Sequence, residues 1–258
     1  MTSTTAPARA SVGSPLTPRI TLAVASRVLT QLRRDHRTLA MLLVLPCLLI
    51  SLLWWMFEGT TIFDSVGPAL LAMFPFIVMF LVTSVTTLRE RSSGTLERLL
   101  SMPMGKLDFL LGYALAFGLV AAVQSALAVG ISVGLLGLDV AGPVWLLTLV
   151  AVADAVLGTA LGLLVSAFAQ TEFQAVQFMP LLVIPQILLC GLFLPRDQLP
   201  AALEAVSNVL PLSYAVDAMQ LLTSTADTGE VWQDLAVVAA FALAGLALGA
   251  ATLRRRTA

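Results

Sequence analysis

Long apolar runs alternate with short charged breaks along this chain. Six runs are nearly free of charge: Leu39–Phe57, Val66–Leu88, Phe109–Leu136, Val144–Phe168, Phe178–Leu194 and Leu235–Leu253. A bilayer hydrocarbon core of about 30 Å needs about 20 helical residues to cross it. Each run therefore predicts a membrane-spanning helix, and the fold class is an all-α polytopic membrane protein with six spans. Pro180 and Pro185 predict a kink or break in the fifth span. Trp54 and Trp55 close the first span as interfacial anchors, and Trp145 and Trp232 open the fourth and sixth.

Three polar stretches predict something other than a span. In Ile20–Arg37, the apolar positions Ile20, Val24, Val28 and Leu32 recur about every four residues, with Arg27, Gln31 and Arg34 on other faces. That pattern suits a helix lying in the membrane interface over residues 19–38, its arginines meeting lipid phosphates. Arg89–Lys106 is a charged island between the second and third spans. Gly94 permits a sharp turn, Leu96, Leu99 and Leu100 share one helical face, and Pro103 stops the run. A short amphipathic helix over Thr95–Leu100, lying on the membrane or against a partner, is predicted. Pro195–Asp234 is acidic, and predicts two short helices dipping back toward the membrane before the last span.

Composition agrees with the pattern. The chain has 258 residues, 59% hydrophobic and 11% charged, where soluble domains carry about 25% charged residues. Residues 1–18 have the Ser, Thr, Ala and Pro content of a disordered tail, without the apolar core of a signal peptide. Residues 39–258 form the six-span unit. The net charge of −1 gives no reason to expect a nucleic-acid partner.

Charge distribution adds an orientation. Of the 14 lysines and arginines, only Arg196 falls outside three segments: the residues before the first span, the island, and Arg254–Arg256 at the end of the chain. The positive-inside rule then puts both termini and the island in the cytoplasm, as an even number of spans requires. The expected location is a plasma membrane, with the island on its inner side.

Candidate chemistry is sparse. Asp154 is the only formal charge deep in a span, at an insertion cost of about 2.5–3.5 kcal/mol. Two readings stand: a carboxylate that contacts substrate or handles protons, or a buried group satisfied by Gln124, Ser125 or Thr159. Gln124 and Gln186 are polar at mid-span and either pack helices or line a substrate route. Gly130/Gly134, Gly158/Gly162 and Gly245/Gly249 repeat the small-xxx-small spacing of close helix contacts. Cys47 and Cys190 lie in apolar runs, no metal-ligand spacing occurs, and His36 reads as a solvated residue in a basic patch. No phosphate-binding loop accompanies the only lysine, Lys106, and no catalytic constellation is present. No metal and no directly bound cofactor are expected. In an ordinary loop, Glu90, Glu97 and Asp108 would be solvated charges.

Two segments carry a family likeness. Glu90-Arg91-x-x-Gly94-Thr95-Leu96-Glu97-x-Leu99-x-x-x-Pro103 resembles the E-R-x-x-G-T-L-E-x-L-x-x-x-P segment of type-2 ABC transporter permeases (ABC-2 membrane subunits). Leu210-Pro211-x-x-Tyr214-x-x-Asp217-Ala218 resembles that family's L-P-x-x-Y-x-x-[DE]-x segment, ahead of its last span. The branch most similar is the bacterial drug- and antibiotic-resistance permeases of daunorubicin-exporter type.

The resemblance implies that residues 19–38 are a connecting helix and Thr95–Leu100 a coupling helix fitting a cleft on an ATPase. Glu90, Arg91, Gly94, Thr95, Leu96, Glu97 and Leu100 would carry that contact, with a second contact around Glu172. Pro211, Tyr214 and Asp217 would mark outer re-entrant helices. Two ABC ATPase subunits would supply ATP and Mg, and a second permease, identical or homologous, would complete the exporter of a lipophilic drug, antibiotic or lipid-like cargo. The rival reading is a stand-alone secondary transporter or channel using Asp154, against which no inverted repeat or second membrane acid is found.

Overall fold

A computed structural model describes residues 17–93 and 106–252. Every regular element among them is helical: α1 (Pro18–Arg34), α2 (His36–Met56), α3 (Ile62–Ser92), α4 (Lys106–Gly134), α5 (Val144–Ser166), α6 (Glu172–Leu189), a 3₁₀ turn (Arg196–Gln198), α7 (Ala201–Ser207), α8 (Pro211–Ser224) and α9 (Gly229–Thr252). Six of these, α2 to α6 and α9, are long and apolar enough to cross a membrane. The protein is therefore a multi-pass membrane protein. The tail before Thr17, the segment Gly94–Gly105 with its expected amphipathic helix and Pro103 stop, and Arg254–Arg256 lie outside the described residues.

Five of the six spans begin earlier than their apolar runs, α5 at the same Val144. α3, α6 and α9 start at Ile62, Glu172 and Gly229 because helix formation continues through polar first turns outside the apolar stretch. α6 runs unbroken through Pro180 and Pro185, as α3 does through Pro68 and Pro75. The expected break is absent because neighbouring groups and local adjustment satisfy freed backbone groups in membrane helices.

α3 and α5 form the centre. An added Cβ at Gly162 would lie 2.6 Å from the Phe80 carbonyl oxygen, and one at Gly158 would collide with the Phe76 carbonyl. The two backbones touch, and van der Waals packing over small residues holds them. Gly130 and Gly134 have open space beside them, and Gly245 meets only the ordinary contact of Ala160 at 3.4 Å. One of the three glycine patterns is thus a tight seam. α6 is peripheral, burying only Ala175, Val183 and Gln186.

The bundle has two unlike ends. At one, the end of α3 meets the end of α5 and the start of α6, and α1 lies across α4. Val24, Ala25, Val28 and Leu32 of α1 pack there with Phe109, Leu110 and Tyr113. At the other, the Gly142 amide donates to the Leu222 carbonyl at 2.8 Å, and Trp145 faces Trp232 with ring centroids 6.2 Å apart.

Candidate functional site

The charged island is rooted in two helices that overshoot the membrane. α3 has 31 residues and α4 has 29, so at 1.5 Å per residue they are about 46 and 43 Å long. A hydrocarbon core of about 30 Å cannot contain either. Their adjoining ends carry the charges Arg89, Glu90, Arg91, Lys106 and Asp108, which assigns the excess length there to the headgroup layer or water. Of the expected coupling residues, Gly94, Thr95, Leu96, Glu97 and Leu100 lie outside the described residues. Glu90 and Arg91, in the last turn of α3, are described.

Neither is a free charge awaiting a partner. Glu90 Oε2 accepts from the Arg27 guanidinium of α1 at 2.9 Å, and the same nitrogen donates to the Tyr113 hydroxyl of α4 at 2.8 Å. Arg91 donates to the Ser166 carbonyl, the last residue of α5. That carbonyl has no partner one helical turn on, so a cation there also meets the negative end of the helix dipole. Arg89 makes a two-pronged pair with Glu172, at 2.7 and 2.9 Å, binding α3 to the first turn of α6.

Asp108, at the start of α4, is not the solvated charge that an ordinary loop would give. It is 1% exposed. Its Oδ1 accepts from the Thr17 amide at 2.7 Å and the Thr21 hydroxyl at 3.0 Å. Both donors belong to the first turn of α1. Local sequence does not announce these pairs, since the partners lie 63 to 91 residues apart. The usable signal is that opposite charges occupy segments assigned to the same membrane face.

Asp35, between α1 and α2, is engaged locally. Its carboxylate accepts from the Thr38 amide at 3.1 Å and hydroxyl at 2.6 Å, as an N-cap of α2. The Thr38 hydroxyl and amide hold its pKa below the ordinary carboxylate value.

The mid-depth candidates separate. Asp154 and Gln124 are both fully buried, and neither has a hydrogen-bond partner among the described residues. Of the three groups expected to satisfy Asp154, Gln124 does not reach it and two are engaged elsewhere: Ser125 donates to the Ala151 carbonyl at 3.1 Å and Thr159 to the Ala155 carbonyl at 3.1 Å. Gln186 is tied into the scaffold. Its Nε2 donates to the Leu182 carbonyl at 3.0 Å, and its Oε1 accepts from the Leu212 amide at 3.3 Å. That amide is in the first turn of α8, where helix donors lack intrahelical partners. Gln186 thus caps α8 from α6.

Pro211 opens α8 at its first position, where its missing N–H costs no helix bond. Tyr214 and Asp217 then meet one residue that sequence reasoning passed over. Arg196 pairs with Asp217, donates to Asn208 Oδ1, and sits 5.0 Å above the Tyr214 ring. The Tyr214 hydroxyl donates to the Asn208 carbonyl at 2.8 Å. Burial raises the Asp217 pKa while the Arg196 charge opposes the rise. Beside this anchor opens an acidic cleft of about 500 Å³, lined by Asp217, Gln220, Ser224, Glu230, Gln233 and Asp234.

Comparison with known proteins puts a family on this arrangement. A model of the ABC-2 type transporter family matches residues 20–222. The chain is 29% identical over 171 residues to the probable multidrug ABC transporter permease YbhR of Escherichia coli K12, a match covering 66% of this chain and 46% of that protein. It is 24% identical over 178 residues to the probable multidrug ABC transporter permease YbhS of the same organism, covering 69% and 47%. It is also 24% identical over 200 residues to the linearmycin resistance permease protein LnrN of Bacillus subtilis, covering 76% and 51%. The chain spans about half the length of the curated relatives it matches. The six spans and the family match over residues 20–222 together place it: the chain belongs to the ABC-2 type transporter family.

Proposed function

We propose that this chain is the permease subunit of an ATP-driven exporter in the bacterial plasma membrane. Two separate ABC ATPase subunits supply the energy, using ATP and Mg. A second permease, a copy or a homologue, completes the route. The termini and the island face the cytoplasm, in line with the arginine distribution. The cargo is a lipophilic drug, antibiotic or lipid-like molecule, a class supported by relatives named as multidrug and linearmycin resistance permeases.

The observation that carries the reading is the position of the E-R-x-x-G-T-L-E segment. It starts in the last turn of α3, between two helices whose length lifts their ends beyond the hydrocarbon core. Arg27, Arg91 and Arg89 bind those ends to α1, α5 and α6. A segment on so braced a base suits force transfer, because a push on it moves packed helices instead of being absorbed by a loose loop. Glu90 and Arg91 brace the base, while Gly94, Thr95, Leu96, Glu97 and Leu100 make the ATPase contact.

Cysteine cross-linking from Leu100 to a co-purified ATPase subunit tests the reading. A specific cross-link, with transport lost on deletion of Thr95–Leu100, is expected. Transport surviving that deletion would overturn it.

A further inference from the structure

We infer that α1 is a strap that fixes the separation between the two roots of the island, with Arg27 holding the entry root and Asp108 the exit root. Its bearing on energy coupling rests on the function proposed above; its geometry does not.

The anchors are independent and lie on one helix. Near the middle of α1, one Arg27 nitrogen bridges Glu90 at the end of α3 and Tyr113 in α4. At the start of α1, Thr17 and Thr21 both donate to Asp108 in the first turn of α4. Exposed ion pairs contribute little, but the acceptors here are withdrawn from water, although the Arg27 side chain itself stays 29% exposed. The side chain of Glu90 is 12% exposed, Tyr113 is fully buried and Asp108 is 1% exposed. Asp108 has a second reason to hold. Its carboxylate accepts from the Thr17 amide at the N-terminus of α1, where the helix dipole favours negative charge.

Packing makes the strap stiff. A Cβ at Gly112 would lie 2.6 Å from Val24 Cβ and 2.9 Å from the Thr21 carbonyl oxygen. α1 therefore lies backbone-close on α4 between its two polar anchors, and a shift of α1 moves the exit root with it. Arg27 and Asp108 are positioning residues: they act through the roots and not on cargo.

The test uses the full chain in lipid nanodiscs, with Cys47 and Cys190 replaced by alanine and spin labels at Ser92 and Lys106. Pulsed electron resonance reads the distance between the roots. A single narrow distribution is expected. Combining Arg27→Gln with Asp108→Asn should broaden it, while the charge exchange of Arg27→Glu with Glu90→Arg should restore the narrow distribution that Arg27→Glu alone loses. A distribution unchanged in the first variant, or an exchange no better than Arg27→Glu alone, would overturn the strap.

With the ATPase bound, the amount of a lipophilic fluorescent dye moved per ATP should fall about 10-fold in the Arg27→Gln, Asp108→Asn variant, within the usual 5–150-fold range of coupling effects. An unchanged ratio would overturn the positioning role. Failure of the Leu100 cross-link would remove the exporter reading and leave the distance result standing, so the two fail separately.

Discussion

The two ends of this bundle use the same device with opposite surroundings. Each has one arginine that fastens a non-spanning helix, α1 to the spans α3 and α4 at one end and α8 to the turn after α6 at the other, and each arginine takes one of the chain's two tyrosines. Arg27 donates to the hydroxyl of Tyr113 and pairs with Glu90. Arg196 lies over the face of Tyr214 and pairs with Asp217. Around Arg27 the neighbouring charges are mostly basic, with Arg33, Arg34, Arg37, Arg89 and Arg91 nearby in sequence or structure. Around Arg196 they are acidic: Asp217, Glu230 and Asp234 line the adjoining cleft. Where cations are plentiful, one of them is a single member of a network that also includes Arg89–Glu172 and Arg91–Ser166. Where only one cation is present, the ion pair described at that end rests on it alone. The end with one arginine should therefore be the more fragile to its loss.

Removing Arg196 should have the largest effect. Arg196→Ala leaves Asp217, whose side chain is 30% exposed, without its cation. Losing one member of a fully buried pair costs about 3–5 kcal/mol, and this half-shielded pair should cost about 2 kcal/mol. Thermal unfolding in detergent measures it. The loss should grow with pH. Burial already raises the Asp217 pKa from 3.8, and removing Arg196 raises it further. A carboxyl with a raised folded-state pKa gives its full stability below about pH 3.8 and loses it as pH rises through the folded value. The variant should therefore be closer to wild type at pH 5 than at pH 8. Equal losses at the two values would contradict the assignment.

Arg27→Ala should cost less, about 1–2 kcal/mol, because the other ties of the network remain. If it costs more than Arg196→Ala, the contrast between the two ends fails. The tyrosines sharpen the contrast. Tyr113→Phe deletes a buried hydrogen bond to a charge and should cost about 1.5 kcal/mol. Tyr214→Phe keeps the ring beneath Arg196, loses only an exposed hydroxyl bond, and should cost a few tenths of a kcal/mol.

The smallest effect is expected between the ends. Asp154→Asn breaks no hydrogen bond among the described residues and should leave stability within about 0.5 kcal/mol of wild type or above it. Transport should persist. Transport abolished in a folded Asp154→Asn protein would favour the rival reading, in which Asp154 handles an ion.

The spans were legible because about 20 uninterrupted apolar residues suit a bilayer crossing and little else. Their ends were not: Ile62, Glu172 and Gly229 begin helices in polar turns that hydropathy cannot separate from loops. The glycine repeats illustrate a second limit. Spacing puts Gly130/Gly134 and Gly158/Gly162 each on one face of a helix, but which face meets a neighbour is decided by tertiary packing. Tyr214 and Asp217 could be marked from a local motif. Arg196, which joins them, could not, because its role depends on the turn at Gly191, where φ is +90° and the chain reverses after α6. Asp108 escaped for the same reason. Its donors are at the far end of the preceding chain, and a charged residue beside a charged island reads as solvated until α1 covers it.

Reconstitution in liposomes tests the central claim most directly. The chain would be incorporated with and without its ATPase subunits, and uptake of a lipophilic fluorescent dye followed under ATP or under an imposed proton gradient. Movement that requires both the ATPase subunits and hydrolysable ATP is expected, as is its loss on deletion of Thr95–Leu100. Movement driven by the gradient through the chain alone would contradict the account.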